Sequence, residues 1–258
     1  MREHDLHTVC REALCPNRAE CYARGKATFL ILGSICTRAC RFCAVSKGVP
    51  HPPDPSEPMR LARAAEALGL CRVVVTSVTR DDLPDGGAAL FARTVRELKR
   101  LRKPPVVEVL VPDFGGSREA LAAVLEAGPD IVCHNIETVR RLYGAVRRGA
   151  DYERSLSVLA EAKRIREEVM TKSALILGLG ETAEEVVRAF KDLRRASVDC
   201  CAVGQYLRPG MGQVPVREYV SPERFAWFED EALRLGFREV AAGPLVRSSY
   251  QEVRLDLH

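Results

Sequence analysis

The cysteines are the residues of this chain whose types and spacing point most directly to chemistry. Six of the ten cysteines fall into two groups of three. The first triplet, spaced C-x4-C-x5-C, consists of Cys10, Cys15 and Cys21. The second triplet, spaced C-x3-C-x2-C, consists of Cys36, Cys40 and Cys43. Three neighbouring thiolates can hold a four-iron cluster by three of its irons and leave the fourth iron open for chemistry.

Zinc is the alternative for either triplet, because a structural Cys₃His site needs one imidazole besides three thiolates. The histidines near enough in sequence to complete such a site are His4, His7 and His51. Two triplets favour iron, since the second follows a predicted strand, where α/β barrels place their active sites. The other cysteines lie in or beside predicted strands and are predicted to be small buried hydrophobic residues: Cys71, Cys133, Cys200 and Cys201.

The elements that position these cysteines alternate between short apolar runs and amphipathic stretches. The apolar runs lack strict alternation, which is typical of strands buried on both faces of a parallel sheet. The predicted strands are Phe29–Ile35, Arg72–Val78, Val106–Val111, Ile131–Asn135, Lys172–Leu177 and Cys201–Leu207. The predicted helices are Met59–Leu70, Ala88–Leu101, Arg118–Ala127, Tyr152–Glu167, Ala183–Ala196 and Pro222–Leu235. Six strand–helix units in series predict an α/β barrel or part of one.

Capping residues support these boundaries. Thr182 with Glu185 predicts a capping box, and Ser221 before Pro222 predicts an N-cap followed by a first-turn proline. The glycines expected to end three of the helices are Gly69, Gly128 and Gly236.

The composition indicates one domain of a soluble, cytoplasmic protein. Of 258 residues 47% are hydrophobic, and no run approaches the ~20 apolar residues of a membrane span. The amino terminus shows no apolar signal core, so the cysteines are expected to stay reduced. A net charge of +4 is too small to indicate nucleic-acid binding, and the densest basic stretch, 93–103, is typical of a solvated helix face. Residues 1–27 and 237–258 flank the predicted barrel of residues 28–236 and are expected to pack on it.

The second triplet has an aromatic residue before its last cysteine and follows a strand, a pattern that resembles the radical S-adenosylmethionine superfamily. Within it, the surrounding sequence resembles the lipoyl synthase family. Both triplets lie, in that family's order, in LHTVCREALCPNRAECYARGKATFLILGSICTRACRFC. The later segments that share the resemblance are VVVTSVTRDDLPDGGA (73–88), HNIETVRRLY (134–143), MTKSALILGLGET (170–182), VGQYLRP (203–209) and GPLVRSSY (243–250). Family members usually carry a longer arm before LHTVC, whereas here five residues precede Leu6.

The resemblance implies a partial six-stranded (β/α)6 TIM-like barrel, with amino- and carboxyl-terminal extensions that carry an auxiliary iron–sulfur cluster. It implies two [4Fe–4S] clusters and S-adenosylmethionine as cofactors. The catalytic cluster would bind to the second triplet, Cys36, Cys40 and Cys43, and its open iron to the amine and carboxylate of S-adenosylmethionine. The auxiliary cluster would bind to the first triplet, with Ser249 of R-S-S-Y as its fourth ligand. An ordinary turn is the alternative for Ser248 and Ser249.

Further residues are implied by the same resemblance as contacts of S-adenosylmethionine, most of them at strand ends, where barrels bind their ligands. These are Thr76 and Ser77 for the methionyl amine, Asn135 and Glu137 for the ribose hydroxyls, Phe42 for the adenine, and Arg154 and Lys172 for the carboxylate. Structural alternatives remain, because Thr76 is a common sheet residue, and Glu137 and Arg154 would form a surface pair.

The implied activity is the insertion of sulfur at C6 and C8 of an octanoyl chain on a carrier-protein lysine, which makes a lipoyl group. The implied partners are lipoyl domains of 2-oxoacid dehydrogenases, the H-protein of the glycine-cleavage system, and an electron donor such as ferredoxin or flavodoxin. Neither nucleic acid nor a membrane is expected. Two basic faces are candidates for docking a carrier through charge: Arg96, Lys99 and Arg100, and Arg140, Arg147 and Arg148. The alternatives are another radical sulfur-inserting or maturation enzyme and, in a different class, a zinc-stabilised binding module.

Overall fold

A computed structural model of the chain describes residues 6–12, 15 and 17–250. Within these residues, the strands in chain order are β1 (His7–Thr8), β2 (Lys26–Ile31), β3 (Ile35–Cys36), β4 (Ser46–Lys47), β5 (Arg72–Ser77), β6 (Val106–Leu110), β7 (Ile131–Cys133), β8 (Met170–Leu177), β9 (Cys200–Gln205) and β10 (Glu239–Gly243). All except β3 and β4 form one sheet, whose spatial order equals the chain order. Its neighbours are parallel, apart from the antiparallel pair of β1 and β2.

The helices pack outside the sheet and follow their predicted capping. They are α1 (Val9–Glu12), α2 (Arg18–Ala23), α3 (Glu57–Ala67), α4 (Ala88–Lys99), α5 (Arg118–Glu126), α6 (Tyr143–Val146), α7 (Tyr152–Ile165), α8 (Ala183–Arg195) and α9 (Pro222–Arg234). The capping box of Thr182 and Glu185 and the Ser221 N-cap are confirmed. The left-handed φ angles of the three helix-ending glycines are 58°, 83° and 90° for Gly69, Gly128 and Gly236. In the described part of the chain, the helices are too short or too polar to cross a bilayer.

The predicted fold class, a partial (β/α)6 barrel, is confirmed. The six units are β2–α3, β5–α4, β6–α5, β7–α7, β8–α8 and β9–α9. The structure adds a seventh parallel strand, because β10 pairs with β9 in the segment that the sequence analysis places after the barrel. The pattern EVAAG of β10 contains a single β-branched residue, so its composition does not indicate a strand. No pairing between β1 and β10 closes the sheet over the described residues, and the barrel is open.

The bounds predicted for the first strand, Phe29–Ile35, are wrong. Strand β2 begins at Lys26 and ends at Ile31. Leu32 and Gly33 have φ angles of 67° and 85°, a left-handed conformation in which a strand cannot continue. The chain becomes extended again in β3, which pairs with β4 in a separate small sheet. The second triplet begins in this small sheet.

The barrel interior contains a charged network, whereas the outward faces of the strands pack on the helices. Arg72 Nη2 and Lys172 Nζ lie 2.6 Å and 3.2 Å from the carboxylate of Glu108, and all three side chains are buried. Of the four cysteines outside the triplets, Cys133, Cys200 and Cys201 are buried, as predicted. The prediction for Cys71 is wrong: it is exposed, because it lies ahead of β5 in the turn at the amino-terminal edge of the sheet.

The prediction of the second basic face, Arg140, Arg147 and Arg148, is wrong in one residue. Arg147 Nη1 points inward and donates to the Asn135 carbonyl oxygen at 2.8 Å and to the Tyr143 hydroxyl at 2.5 Å. Its guanidinium therefore bonds to groups inside the protein and is not available to a docking protein. Arg140 is on the surface but pairs with Glu153. In the first face, Lys99 pairs with Asp130 and Arg100 with Glu97.

Candidate functional site

The loop of the second triplet lies over the carboxyl-terminal ends of the barrel strands. Cys36 ends β3, and the Cys43 N–H donates to the Cys40 carbonyl oxygen at 3.3 Å in the turn that follows. Backbone bonds from segments after β5, β7 and β9 hold this loop: Thr37 N–H to Thr79 O, 3.1 Å; Arg41 N–H to Val146 O, 2.8 Å; Val214 N–H to Arg41 O, 3.0 Å. Because three strands anchor the loop, the second triplet lies at the barrel mouth, as the sequence predicted.

The thiols of the second triplet are neighbours that share a partly buried environment. Burial raises the pKa of Cys43 to about 11, and the thiols of Cys40 and Cys36 add to the effect. Burial also raises the pKa of Cys40, which the nearby Arg147 guanidinium opposes. Burial thus favours the neutral thiol at Cys40 and Cys43, and binding of a metal there must release protons.

The first triplet lies in and between the two helices that precede β2. Cys10 is in α1, Cys21 is in α2, and the Cys15 N–H donates to the Cys10 carbonyl oxygen at 3.3 Å. Burial raises the pKa of Cys10 and of Cys21, and the pKa of each is raised further by the thiol of Cys15. The three thiols are therefore close enough to influence one another. Both helices pack on β2, at one edge of the barrel.

Residues 244–250, here called the carboxyl-terminal strap, run from β10 to the first triplet. The Tyr250 hydroxyl donates to Glu20 Oε2 at 2.8 Å, and Glu20 is the neighbour of Cys21 in α2. Asn17 Nδ2 donates to the Leu245 carbonyl oxygen at 2.6 Å, immediately before α2. The strap is thus tied at both of its ends to the segment that carries the first triplet.

The middle of the strap lies on the barrel mouth. Asn135 Nδ2, just past the end of β7, donates to Ser248 Oγ at 3.2 Å. Gly204 in β9 lies directly under the strap, since a Cβ there would be 2.1 Å from the Val246 carbonyl oxygen. Ser249 is half-buried between the Ser248 and Tyr250 anchors. The strap therefore spans the space between the two triplets.

The hydroxyls at the end of β5 differ in whether they are available. Thr76 Oγ1 donates to the Leu110 carbonyl oxygen at 2.8 Å, as the sheet alternative expected. Ser77 Oγ is buried at the barrel mouth and has no hydrogen-bond partner among the described residues. A buried hydroxyl without a partner costs free energy, so Ser77 is suited to a bound ligand.

Asn135 and Glu137 form a polar pair after β7. Asn135 Nδ2 donates to Glu137 Oε1 at 3.0 Å, and burial raises the pKa of Glu137 against the effect of the Arg147 guanidinium. Glu137 has a φ of 63°, a strained conformation for a residue with a Cβ. Its N–H donates to the Ala174 carbonyl oxygen at 2.9 Å, which holds the strained residue on β8.

The remaining predicted contacts lie in three different places. Arg154 Nη1 is 3.5 Å from Asp113 Oδ2, so the alternative of a surface pair with Glu137 is wrong. Phe42 packs in an apolar cluster with Val146, Leu179 and Tyr206. Lys172 lies in the barrel interior, where Glu108 binds its ammonium group. The structure thus brings Ser77, Asn135, Glu137 and Arg154 toward the mouth, and it places Lys172 below them.

The zinc alternative can be compared with the arrangement of the cysteine and histidine side chains. A single zinc ion needs its ligands about 2.0–2.3 Å from one point. In the part of the chain that the structure describes, no three His, Cys, Asp or Glu side chains converge in that way. His4 lies outside the described residues, and His7 is directed to Glu12 at 3.3 Å.

Comparison with known proteins identifies the relatives of this chain. Residues 30–193 match the Radical SAM superfamily. A lipoyl synthase of Caldanaerobacter subterraneus subsp. tengcongensis is 58% identical over 95% of this chain and 86% of its own length. A lipoyl synthase of Thermus thermophilus is 54% identical over 100% of this chain and 80% of its own length. The chain belongs to the lipoyl synthase family.

Two solved structures share the fold of this lipoyl synthase family member. Methylornithine synthase (PylB) is 15% identical with a TM-score of 0.61, over 90% of this chain and 76% of its own. HydG, a maturase of the [FeFe]-hydrogenase, is 15% identical with a TM-score of 0.63, over 84% of this chain and 56% of its own. At this identity the likeness concerns the fold alone. Among the alternatives of the sequence analysis, the family match decides for the lipoyl synthases.

The residues of this lipoyl synthase family member fit the cofactors of a radical S-adenosylmethionine enzyme, [4Fe–4S] clusters and S-adenosylmethionine. Each triplet offers soft thiolate ligands, which iron–sulfur clusters prefer. The Ser77 hydroxyl, without a partner among the described residues, and the half-buried Glu137 carboxyl supply polar groups at the barrel mouth. The site therefore has ligands for a cluster and hydrogen-bonding groups for a polar organic cofactor.

Four polar residues at the mouth were not found from the sequence of this lipoyl synthase family member: Arg38, Asp113, His134 and Arg147. Arg38 pairs with Asp113 at 2.7 Å, and Arg147 lies near Cys40. His134 Nδ1 bonds to the Val111 carbonyl oxygen at 2.8 Å, and its Nε2 is buried without a partner among the described residues. The signal for Arg38 was its position inside the C-x3-C spacing. Arg147 gave no such signal, because its run of basic residues is typical of a surface.

Proposed function

We propose that this chain inserts two sulfur atoms, at C6 and C8, into an octanoyl group on a carrier-protein lysine and so forms the lipoyl cofactor. The observation that carries the proposal is the course of the carboxyl-terminal strap. It bonds to α2 of the first triplet through Tyr250 and to the barrel mouth through Ser248. Sulfur insertion needs a sulfur source beside the site where hydrogen is removed, and the strap joins two cysteine-rich sites in this way.

In this proposal the two triplets have separate roles. The second triplet holds the catalytic cluster, and the first triplet holds the auxiliary cluster, with Ser249 as its fourth ligand. Segments 1–27 and 237–258 are assigned to the auxiliary site that flanks the barrel of residues 28–236, although β10 of the second segment pairs with β9 in the barrel sheet. The contacts of Tyr250 and Asn17 support the role of Ser249, because they bring its backbone to the helix of Cys21. A hydroxyl oxygen is a poor match for iron among thiolates, so this ligand is suited to release.

The chain's own residues bind and orient the organic cofactor. When the cofactors are bound, they supply an electron and a carbon radical that removes hydrogen from an unactivated methylene, a step beyond any side chain. In the proposal Ser77 bonds the methionyl amine, and Asn135 and Glu137 bond the ribose hydroxyls. Arg154, held by Asp113 only at 3.5 Å, turns to the carboxylate. The strap and the second-triplet loop cover the mouth and keep water away from the reacting groups.

Three predicted residues support this site from their positions in the barrel. The bond of Thr76 to Leu110 keeps the end of β5 in register next to Ser77. Phe42 packs the second-triplet loop on an apolar cluster and presents its remaining ring surface to the adenine. Lys172, paired with Glu108, contributes a buried positive charge below the carboxylate.

The partners and the compartment follow from the same chemistry. The carriers are octanoylated lipoyl domains of 2-oxoacid dehydrogenases and the H-protein of the glycine-cleavage system. The electron donor is a small redox protein such as ferredoxin or flavodoxin. The cytoplasm is the proposed location, because it keeps thiols reduced and all ten cysteines of this chain are free thiols.

The test uses anaerobically reconstituted protein with S-adenosylmethionine, a reductant and an octanoyl-lysine peptide. Reconstituted protein is expected to hold about eight irons, and loss of either triplet should halve that number. Alanine at Cys36, Cys40 and Cys43 should abolish both 5′-deoxyadenosine and lipoyl-lysine, measured by mass spectrometry. Alanine at Cys10, Cys15 and Cys21 should leave 5′-deoxyadenosine and abolish lipoyl-lysine.

The matched control is Cys71→Ala, which removes an exposed cysteine outside both triplets and should keep both products. An isotope in the sulfide of the auxiliary cluster should appear in the lipoyl group. A first-triplet variant that still makes lipoyl-lysine, or a label that stays in the protein, contradicts the assignment of the auxiliary site.

A further inference from the structure

One side chain of the second-triplet loop has an unusually strong attachment to the barrel. Arg38 lies between Cys36 and Cys40, and only 9% of its side chain is exposed. Its guanidinium donates four hydrogen bonds of 2.7–2.8 Å, two to the carboxylate of Asp81 and two to that of Asp113. Paired bonds between an arginine and a carboxylate are among the strongest and most directional in proteins.

The two carboxylates come from neighbouring strands of the barrel. Asp81 follows β5, and Asp113 follows β6. The Asp113 side chain is 1% exposed, and its pKa is lowered because the bonds from Arg38 outweigh the effect of burial. Asp81 also accepts a hydrogen bond from Thr37 Oγ1 at 3.1 Å. Arg38 therefore connects the loop to two fixed points of the sheet.

The backbone of Arg38 also contacts a cysteine directly. The Arg38 N–H donates to Cys36 Sγ at 3.4 Å, so the residue whose side chain is clamped also orients the first thiol of the triplet. The aliphatic stem is packed as well, because a Cβ at Gly149 would lie 3.4 Å from Arg38 Cδ. Both the backbone and the side chain of Arg38 are thus fixed.

We propose that Arg38 is a positioning residue that orders the second-triplet loop before its cluster binds. The inference rests on the proposed assignment of this triplet to the catalytic cluster. A free loop loses conformational entropy when its cysteines converge on a metal, and a loop ordered in advance loses less. Only a guanidinium can make the forked contact with both carboxylates, so lysine keeps the charge but not the geometry.

The test measures the thiols of the metal-free protein by differential alkylation and mass spectrometry, one cysteine at a time. In Arg38→Gln, alkylation of Cys36 and Cys40 should become about tenfold faster, which corresponds to ~1.4 kcal/mol of lost ordering. The first triplet is the internal control and should react at the wild-type rate. Arg38→Lys should recover part of the difference.

A double-mutant cycle with Asp113→Asn examines whether Arg38 acts through the buried carboxylate. Each single variant leaves a buried charge with weaker compensation, Asp113 with Arg154 at 3.5 Å or Arg38 with the more exposed Asp81, so the double variant should be no worse than either single one. Asp81→Asn should have a smaller effect, because the side chain of Asp81 is 44% exposed. In reconstituted protein, the same order should appear in the rate at which a chelator removes half of the iron.

Two results would overturn the inference. One is an unchanged alkylation rate of the second triplet in Arg38→Gln. The other is an equal rise in both triplets together with a lower melting temperature, which means general destabilisation. If Arg38→Gln does not fold, Arg38→Lys and Asp81→Asn are judged by the same criterion. A failure of the proposed function is separate, because it appears as full iron retention when the second triplet is replaced by alanine.

Discussion

A side chain at Gly204 should displace the strap without touching either triplet. A Cβ there would lie 2.1 Å from the Val246 carbonyl oxygen, where ordinary contact begins at 3.4 Å. It would also lie 3.0 Å from Arg247 Nη1. The obstacle is a backbone oxygen, so a simple change of rotamer cannot relieve the overlap. We therefore expect Gly204→Ala to push the strap away from β9 by about 1 Å or more.

The magnitude follows from the cost of overpacking and from the strap's few anchors. Inserting a methyl group into a filled space costs about 1–3 kcal/mol. If overpacking lowers the free energy of unfolding of the whole fold by about 2 kcal/mol, the melting temperature falls by roughly 4–8 °C for a chain of this size. If the strap moves instead, the melting temperature changes less, and the 3.2 Å bond from Asn135 to Ser248 is lost. Ser249, the proposed fourth ligand of the auxiliary cluster, then moves with the strap.

Hydrogen–deuterium exchange of residues 244–250 in the metal-free protein separates these two outcomes. We expect exchange in the strap to become about tenfold faster in Gly204→Ala, equivalent to ~1.4 kcal/mol of lost local stability. In reconstituted enzyme, 5′-deoxyadenosine formation should continue while lipoyl formation falls sharply. The matched control is Gly243→Ala, whose Cβ would meet Val246 Cγ2 at an ordinary 3.4 Å.

The reasoning about the strap would be refuted by a Gly204→Ala protein with wild-type exchange and wild-type lipoyl formation. It would also fail if both reaction products fell together, because 5′-deoxyadenosine formation is proposed to depend on the second triplet and not on Ser249 of the strap. A Gly243→Ala protein as defective as Gly204→Ala would show that any added methyl group near the strap is harmful.

Three more variants probe the mouth. Ser77→Ala removes a buried hydroxyl that has no partner among the described residues, so thermal stability should stay the same or rise, while calorimetry shows weaker S-adenosylmethionine binding. Ser249→Ala should keep most of the iron and lose most lipoyl formation, whereas Ser248→Ala loses one hydrogen bond, about 0.5–1.5 kcal/mol, and should be milder; equal activity of both would contradict this. Burial lowers the pKa of His134 from 6.5 to about 4, so the unfolded state takes up a proton first. The free energy of unfolding, measured with denaturant, should therefore fall as pH drops through this range, and His134→Gln should flatten the slope.

Much of the fold was readable because its signals are local. The six strand–helix units follow from apolar runs, capping residues and helix-ending glycines, each of which acts within a few residues. Thr182 and Glu185 are an example, since both partners of the capping box lie in one turn of helix. Strand β10 escaped prediction because its stability comes from pairing with β9, and its own residues are weak strand formers. The turn at Leu32 escaped for the opposite reason: an apolar residue stands in a left-handed conformation that its type does not favour.

In the candidate site, too, some features follow from local sequence and others only from the tertiary structure. The spacing of each triplet limits how far its thiols can separate, so the sequence by itself determined which cysteines are grouped and predicted a cluster site at each group. Tertiary structure decided what surrounds them. Lys172 pairs with Glu108 in the barrel interior, and the Arg147 side chain points inward. Both residues belong to types that are usually found on the surface.

The meeting of the two ends of the chain is the clearest case of a tertiary decision. Strands β1 and β10 lie at opposite edges of the sheet, and yet Asn17 bonds to Leu245, and Tyr250 bonds to Glu20. These partners are separated by more than 200 residues, and no local pattern links them. They meet because a twisted parallel sheet curves until its edges approach each other. The sequence determines which cysteines are grouped, and the curvature of the sheet brings the carboxyl-terminal strap to the segment of the first triplet.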